Sequence, residues 1–220
     1  MRVFLAFLFV PIILLGSIGQ VSALKGSAKV HRRSVVHTLK TGALIQKRDT
    51  ISTGVDSRVQ IILNDKTRVT IGENSQYSFL DFSYQSKRAS MVEMKAEKGF
   101  FRVVTGKIGK IAPRRFKVRT RSAIIGVRGT DFYAFVKRNF EKIVCLAGRI
   151  SVQTAAKTYD LRAGQMIILQ NGKWTRGIAS TNTIGIPEKG VVNSTQESQS
   201  LYFQNETGKS GGYATHHLWH

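Results

Sequence analysis

Apolar and polar residues alternate with a period of two along most of this chain, and that spacing is what most restricts its fold. The clearest runs are 58–63, 68–71, 77–82, 90–94, 100–104, 132–136, 142–146, 149–152 and 165–169. Strand geometry sends successive side chains to opposite faces, so each run offers one face to a core and one to water. Turn signals separate the runs: Thr53-Gly54, Asn64-Asp65, Gly72-Glu73-Asn74, Thr105-Gly106, Ala147-Gly148, Ala163-Gly164 and Asn171-Gly172. No long window carries helical periodicity, which leaves helix to short connections. The expected fold is all-β, a compact β-sandwich or short β-roll of about ten or more short strands. The segment 98–104 faintly echoes 147–152, each placing a glycine just before an alternating run.

Two flanking segments stand apart from this pattern. Residues 1–23 open with Arg2, continue through an apolar stretch broken by Pro11, Gly16 and Ser17, and close on Val21-Ser22-Ala23. A positive start, an apolar centre and small residues at the end are the marks of a secretory leader cleaved after Ala23. A retained anchor is the rival reading, but sixteen apolar-segment residues reach only about 24 Å against a hydrocarbon core of roughly 30 Å. Residues 181–220 are rich in Ser, Thr, Asn, Gln and Gly and read as a flexible polar tail ending in an aromatic stretch with His216, His217 and His220. The expected domain therefore covers residues 24–180. The single cysteine, Cys145, rules out an intrachain disulfide and reads as a buried strand residue rather than a reactive thiol.

The formal net charge is +21, and it resides in the domain. Of 34 basic residues only Arg2, Lys189 and Lys209 lie outside residues 24–180; of 13 acids, only Glu188, Glu197 and Glu206 do. Such a charge concerns solubility and attraction to polyanions rather than fold. Within 115–121 the cations take every second position, so Arg115, Lys117, Arg119 and Arg121 would share one strand face spanning about 20 Å. Four like charges in file repel one another unless acids across the sheet, solvent or an anionic partner offset them. Lys107, Lys110 and Arg114 enlarge the patch. The expected anion- or partner-binding residues are Lys110, Arg114, Arg115, Lys117, Arg119 and Arg121.

The file runs directly into Gly126-Val127-Arg128-Gly129-Thr130-Asp131. Two glycines allow bends or close backbone approaches, and Asp131 can accept from Arg128 or from turn amides. An internal Arg128–Asp131 ion pair holding a corner of the fold is the structural expectation, set against direct ligand contact. A phosphate loop is not expected, because no helix follows the glycines. No nucleophile, base and orienting acid stand out as a set, and no metal-ligand spacing is visible. The sequence thus predicts no catalytic residues, no cofactor and no metal site.

Three blocks in order carry a family resemblance. The first, 49–75, holds the Thr53-Gly54 turn and an Asp65-Lys66-Thr67 turn between strands. The second is 99–108 followed by the glycine motif, and the third is 146–152 with Ala163-Gly164-Gln165. Together they resemble the FecR-type domain of bacterial envelope proteins over roughly residues 35–169. Lys66 stands where that family often has glycine, which suggests a different turn type. Arg121 stands where a proline commonly follows the threonine, which frees a backbone donor. Thr53, Gly54, Gly126, Arg128, Gly129, Thr130 and Asp131 are read as structural motif residues.

The resemblance implies a non-catalytic periplasmic sensor or adaptor that binds another envelope protein. A membrane span and cytoplasmic segment of the founding regulators are not visible, so their full mechanism does not carry over. The alternative is a cationic module held against anionic lipid, lipopolysaccharide or wall polymer; nucleic acid ranks below these because of the leader.

Overall fold

The computed structural model describes residues 16–179, together with the two short strands at 203–204 and 210–211. Fifteen strands join in one hydrogen-bonded sheet. They are β1 Gly19–Lys25, β2 Ala28–Arg32, β3 Val35–Thr38, β4 Leu44–Ile45, β5 Thr50–Thr53, β6 Arg58–Leu63, β7 Arg68–Ile71 and β8 Gln76–Ser83. Then come β9 Met91–Val104, β10 Phe116–Arg119, β11 Ala123–Lys137, β12 Phe140–Thr154, β13 Thr158–Arg162, β14 Gln165–Gln170 and β15 Lys173–Ile178. A helix of five residues, α1 Lys107–Ile111, and a 3-10 turn Pro113–Arg115 connect β9 to β10. The architecture is all-β, as the alternation predicts. The tail expectation lies outside the described residues, except for β16 Phe203–Gln204 and β17 Ser210–Gly211, which pair with each other.

The main path through the sheet runs β15-β14-β12-β11-β10-β9-β7-β6-β1-β4. Inward residues from β1 through β14 meet in one apolar cluster, where Tyr77 lies 5.5 Å from Phe79 and 5.3 Å from Phe101 between ring centroids. Hydrophobic burial on this scale is the main favourable term in folding. Cys145 belongs to this cluster, as expected, and burial pushes its thiol up to about 11.

The sequence reading cuts three long strands into short ones, and the difference has one cause. In β9 the buried residues are Val92, Met94 and Ala96, then Phe101 and Val103. In β11 they are Ala123, Ile125 and Val127, then Phe132, Ala134 and Val136. In β12, Ile143 and Cys145 give way to Ile150 and Val152. Each strand shifts its inward phase by one residue without ending. The shifts fall at glycines of positive φ: Gly99 at 92°, Gly129 at 61° and Gly148 at 77°. At Gly99 a Cβ would lie 2.0 Å from Ser75 Oγ, and at Gly148 it would lie 2.2 Å from the Gly129 carbonyl oxygen. Neither space admits a side chain. A bulge absorbed inside a strand looks, in sequence, like a turn between two.

Residues 126–131 are therefore a bulge in the middle of β11, not a corner. Across it the β11–β12 register moves from Arg128 opposite Arg149 to Asp131 opposite Ala147. The expected Arg128–Asp131 pair does not form, although the phase shift leaves both residues outside the inward series. Arg128 is exposed, and Asp131 instead takes two bonds from Arg102 of β9, Nε to Oδ1 at 2.9 Å and Nη2 to Oδ2 at 2.6 Å.

The Asp65-Lys66-Thr67 turn also departs from expectation. Lys66 adopts φ 70°, the left-handed region a glycine would occupy, so the turn keeps its shape and the lysine bears the strain. At the other edge, Gly19 to Ala23, placed in the leader by the small-residue pattern, are the first five residues of β1.

Candidate functional site

The turn between β6 and β7 is built around Asp65, whose side chain is fully buried. Its Oδ1 accepts from the Thr67 amide at 3.0 Å, and its Oδ2 accepts from Thr67 Oγ1 at 2.9 Å and from the Ile108 amide at 3.1 Å. The Asp65 carbonyl accepts from the Lys107 amide at 2.8 Å, and Thr67 Oγ1 accepts from the Gly106 amide at 2.9 Å. These bonds fasten the turn to the start of α1, residues about forty positions downstream. Gly106 makes the approach possible: a Cβ there would sit 2.2 Å from the Asp65 carbonyl oxygen.

Fastening the two segments leaves a cleft of about 480 Å³ between them. Ile62, Val104, Thr105 and Gly106 line it together with four cations, Lys66 and Arg68 from the turn side and Lys107 and Lys110 from α1. Lys107 and Lys110 are three residues apart and so lie on one helix face. All four cations are exposed. None of them enters an ion pair among the described residues, whose pairs are Arg32–Asp49, Lys47–Asp81, Lys95–Glu97, Arg102–Asp131 and Arg119–Glu93. The one acid in the turn is spent inward. A concave surface with several uncompensated cations raises the local concentration of anions.

The glycine motif supports this cleft from behind. Thr105, on the cleft wall, donates its amide to the Thr130 carbonyl at 2.9 Å and accepts the Thr130 amide on Oγ1 at 2.7 Å. The bulge at Gly129 thereby sets where the approach to α1 begins.

The basic file is arranged differently. Phe116 and Val118 are buried and Lys117 and Arg119 face outward, so the alternation holds across β10. The strand is only four residues long, however, which puts Arg114 and Arg115 on the 3-10 turn and Arg121 beyond the strand. β10 lies parallel to β9, where Lys117 stands opposite Glu93 and Arg119 opposite Lys95. Glu93 Oε1 takes a 2.5 Å bond from Arg119 Nε, and Glu97 pairs with Lys95 at 2.6 Å. Of the sequence-predicted binding residues, only Lys110 lines the cleft; Arg114, Arg115, Lys117 and Arg121 remain exposed outside it. Sequence reasoning counted Lys107 as flanking charge and missed Lys66 and Arg68 as neighbours, since only the long-range Asp65 contacts bring them together.

The Thr53-Gly54 turn is held by bonds to neighbouring backbone and by close packing. Thr53 Oγ1 donates to the Gly72 carbonyl at 2.6 Å and accepts from the Ser75 amide at 2.9 Å, while a Cβ at Gly54 would lie 2.5 Å from Ser27 Oγ. Close by, buried Asp49 accepts from Arg32 Nε at 2.8 Å and Nη2 at 2.7 Å, and that bond raises the guanidinium above its usual range. His31 Nε2 lies 2.9 Å from Ser52 Oγ. Among the described residues, no group of three His, Cys, Asp or Glu side chains is placed to hold a metal ion, and no helix is long and apolar enough to cross a membrane.

Comparison with known proteins agrees with this frame. Residues 49–151 match the profile of the FecR protein family. Two crystal structures of a candidate anti-sigma factor from Parabacteroides distasonis share the fold, with TM-scores of 0.51 and 0.52 at 20% and 21% identity. Each likeness covers 61% of this chain and 62% of the other, so the chain spans less than two thirds of that protein's length. None of the curated proteins matches it.

Proposed function

We propose, from the premise that this chain carries a FecR domain over residues 49–151, that it is a non-catalytic binding module of the bacterial envelope, a sensor or adaptor that meets its partner at the cationic cleft. One observation carries this reading: four exposed cations from two segments converge on a cleft whose walls are fastened by a buried carboxylate. The carboxylates beside the cleft are already committed. Asp65 is bound by Thr67 and Ile108, and Asp131, in register with Val104, by Arg102. The partner that fits is an acidic segment of another envelope protein. A resemblance in fold to a candidate anti-sigma factor favours a signalling role, and the leader pattern favours a periplasmic location.

The uncompensated charge also favours a second reading, a module held on anionic lipid, lipopolysaccharide or wall polymer. Both contacts are made of exposed charges and both weaken with salt, which screens them over roughly 8 Å at physiological ionic strength, so the captured species separates the two readings. Envelope crosslinked at low salt should yield one protein companion. Recovery of lipid or polymer alone would replace the first reading with the second.

A further inference from the structure

We infer that β1 is retained whole in the mature protein, so that Val21-Ser22-Ala23 is a strand of the domain and any removal of the leader occurs upstream of it. The strand is fixed on both sides. It pairs with β6 from Gly19 opposite Leu63 to Lys25 opposite Arg58, and with β4 at Gly19 and Gln20. Beyond the ladder, the Ile18 amide donates to the Ile45 carbonyl at 2.8 Å and the Asn64 amide to the Ile18 carbonyl at 2.9 Å. Val21 exchanges bonds with the loop before β4, donating to Ala43 at 2.9 Å and accepting from Gly42 at 2.8 Å. Asn64 Nδ2 donates to the Ser17 carbonyl at 2.7 Å.

Its side chains belong to the core as well. Ile18 and Val21 are 3% and 1% exposed, packed in the cluster that contains Ile45, Ile61 and Leu63. At Gly19 a Cβ would lie 2.5 Å from the Ile62 carbonyl oxygen, so a glycine is needed where β1 passes between β4 and β6. Cleavage after Ala23 would leave Leu24 and Lys25 as the remnant of a seven-residue strand. It would strip β4 of its ladder partner and uncover one edge of β6, the kind of exposed edge that proteins avoid.

The small residues have their own structural reason. The β1–β6 register shifts between Val21 and Ala23, and at this bulge Ser22 Oγ bonds to Gln60 at 3.2 Å on the carbonyl and 3.1 Å on Oε1. Inward Val21, a bulge at Ser22 and exposed Ala23 reproduce the spacing of a processing site. Upstream, Gly16 and Ser17 are small residues just before the sheet begins.

The test is the N-terminus of the full chain expressed with its leader and purified from the envelope, read by intact mass and terminal sequencing. The expected first residue is Gly19 or earlier, an unprocessed Met1 included; a first residue at Gln20 or later overturns the proposal. An Ala23→Val variant supplies a second reading, since valine suits an exposed strand position but blocks a small-residue processing site. Its N-terminus should equal that of the wild type, and accumulation of unprocessed precursor from a normally processed chain would show that Ala23 is the site.

Discussion

The cleft and the β10 file are both basic, but their charges are balanced in opposite ways. In the file, acids from β9 thread among the cations: Glu93 faces Lys117 in register and bonds Arg119, and Glu97 bonds Lys95. In the cleft the nearby carboxylate is turned into the protein, where it fastens backbone and leaves Lys66, Arg68, Lys107 and Lys110 to whatever comes from outside. Arg119 of the file forms an ion pair and Lys117 faces the same acid across the ladder, whereas none of the four cleft cations enters an ion pair among the described residues. That difference, with the concave shape, makes the cleft the stronger binding candidate although the file is the more conspicuous in sequence.

Replacing the fastening acid in each region should break this comparison most visibly. Asp65→Ala removes three bonds to a buried carboxylate and should cost roughly 3–5 kcal/mol of unfolding free energy, read by denaturant titration. Glu93→Ala removes a pair whose arginine is 42% exposed and should cost no more than about 1 kcal/mol. Equal losses would mean that the cleft is no more firmly built than the file.

A smaller effect, of opposite sign, is expected at Lys66. A lysine held at φ 70° is strained by about 1 kcal/mol, so Lys66→Gly should raise stability by up to that amount. The same change should weaken anion binding by removing one of the four cations. Stability that falls instead would show the lysine to be anchored in the turn by its side chain.

The smallest effect is a control that touches neither region. Burial raises the Cys145 thiol from its ordinary value near 9 to about 11. The unfolded chain therefore loses its thiol proton first, and the stability associated with the protonated thiol, fully present below about pH 9, declines as pH rises toward 11. Thermal melts of wild type and Cys145→Ala across that window should converge as pH rises. Parallel curves would mean that the thiol is not protected in the fold.

How much of this was legible in the sequence depends on the range of each contact. Alternation gave the strands and their inward residues, because a period of two is a local property: Val59, Ile61 and Leu63 face the core as 58–63 reads. The glycine motif was visible, but its meaning was not. Gly129 is a phase change in β11, recognisable only once β12 lies beside it with Gly148 against its carbonyl. The partner of Asp131 was misread because Arg102, on a neighbouring strand, is twenty-nine residues away while Arg128 is three. Likewise the cleft depends on Asp65 reaching Ile108, a contact that no spacing announces. At β1, two patterns occupy the same residues, and the secretory one obscures the strand.

Charge reversal in the two regions tests the central claim most directly. Lys107→Glu with Lys110→Glu, and separately Lys117→Glu with Arg119→Glu, would be placed in the full chain, checked for unchanged melting, and used in crosslinked recovery of the envelope partner at low salt. The cleft pair should lose at least tenfold in recovered partner while the file pair keeps most of it. Loss confined to the file pair, with the cleft pair binding as the wild type does, would contradict the account.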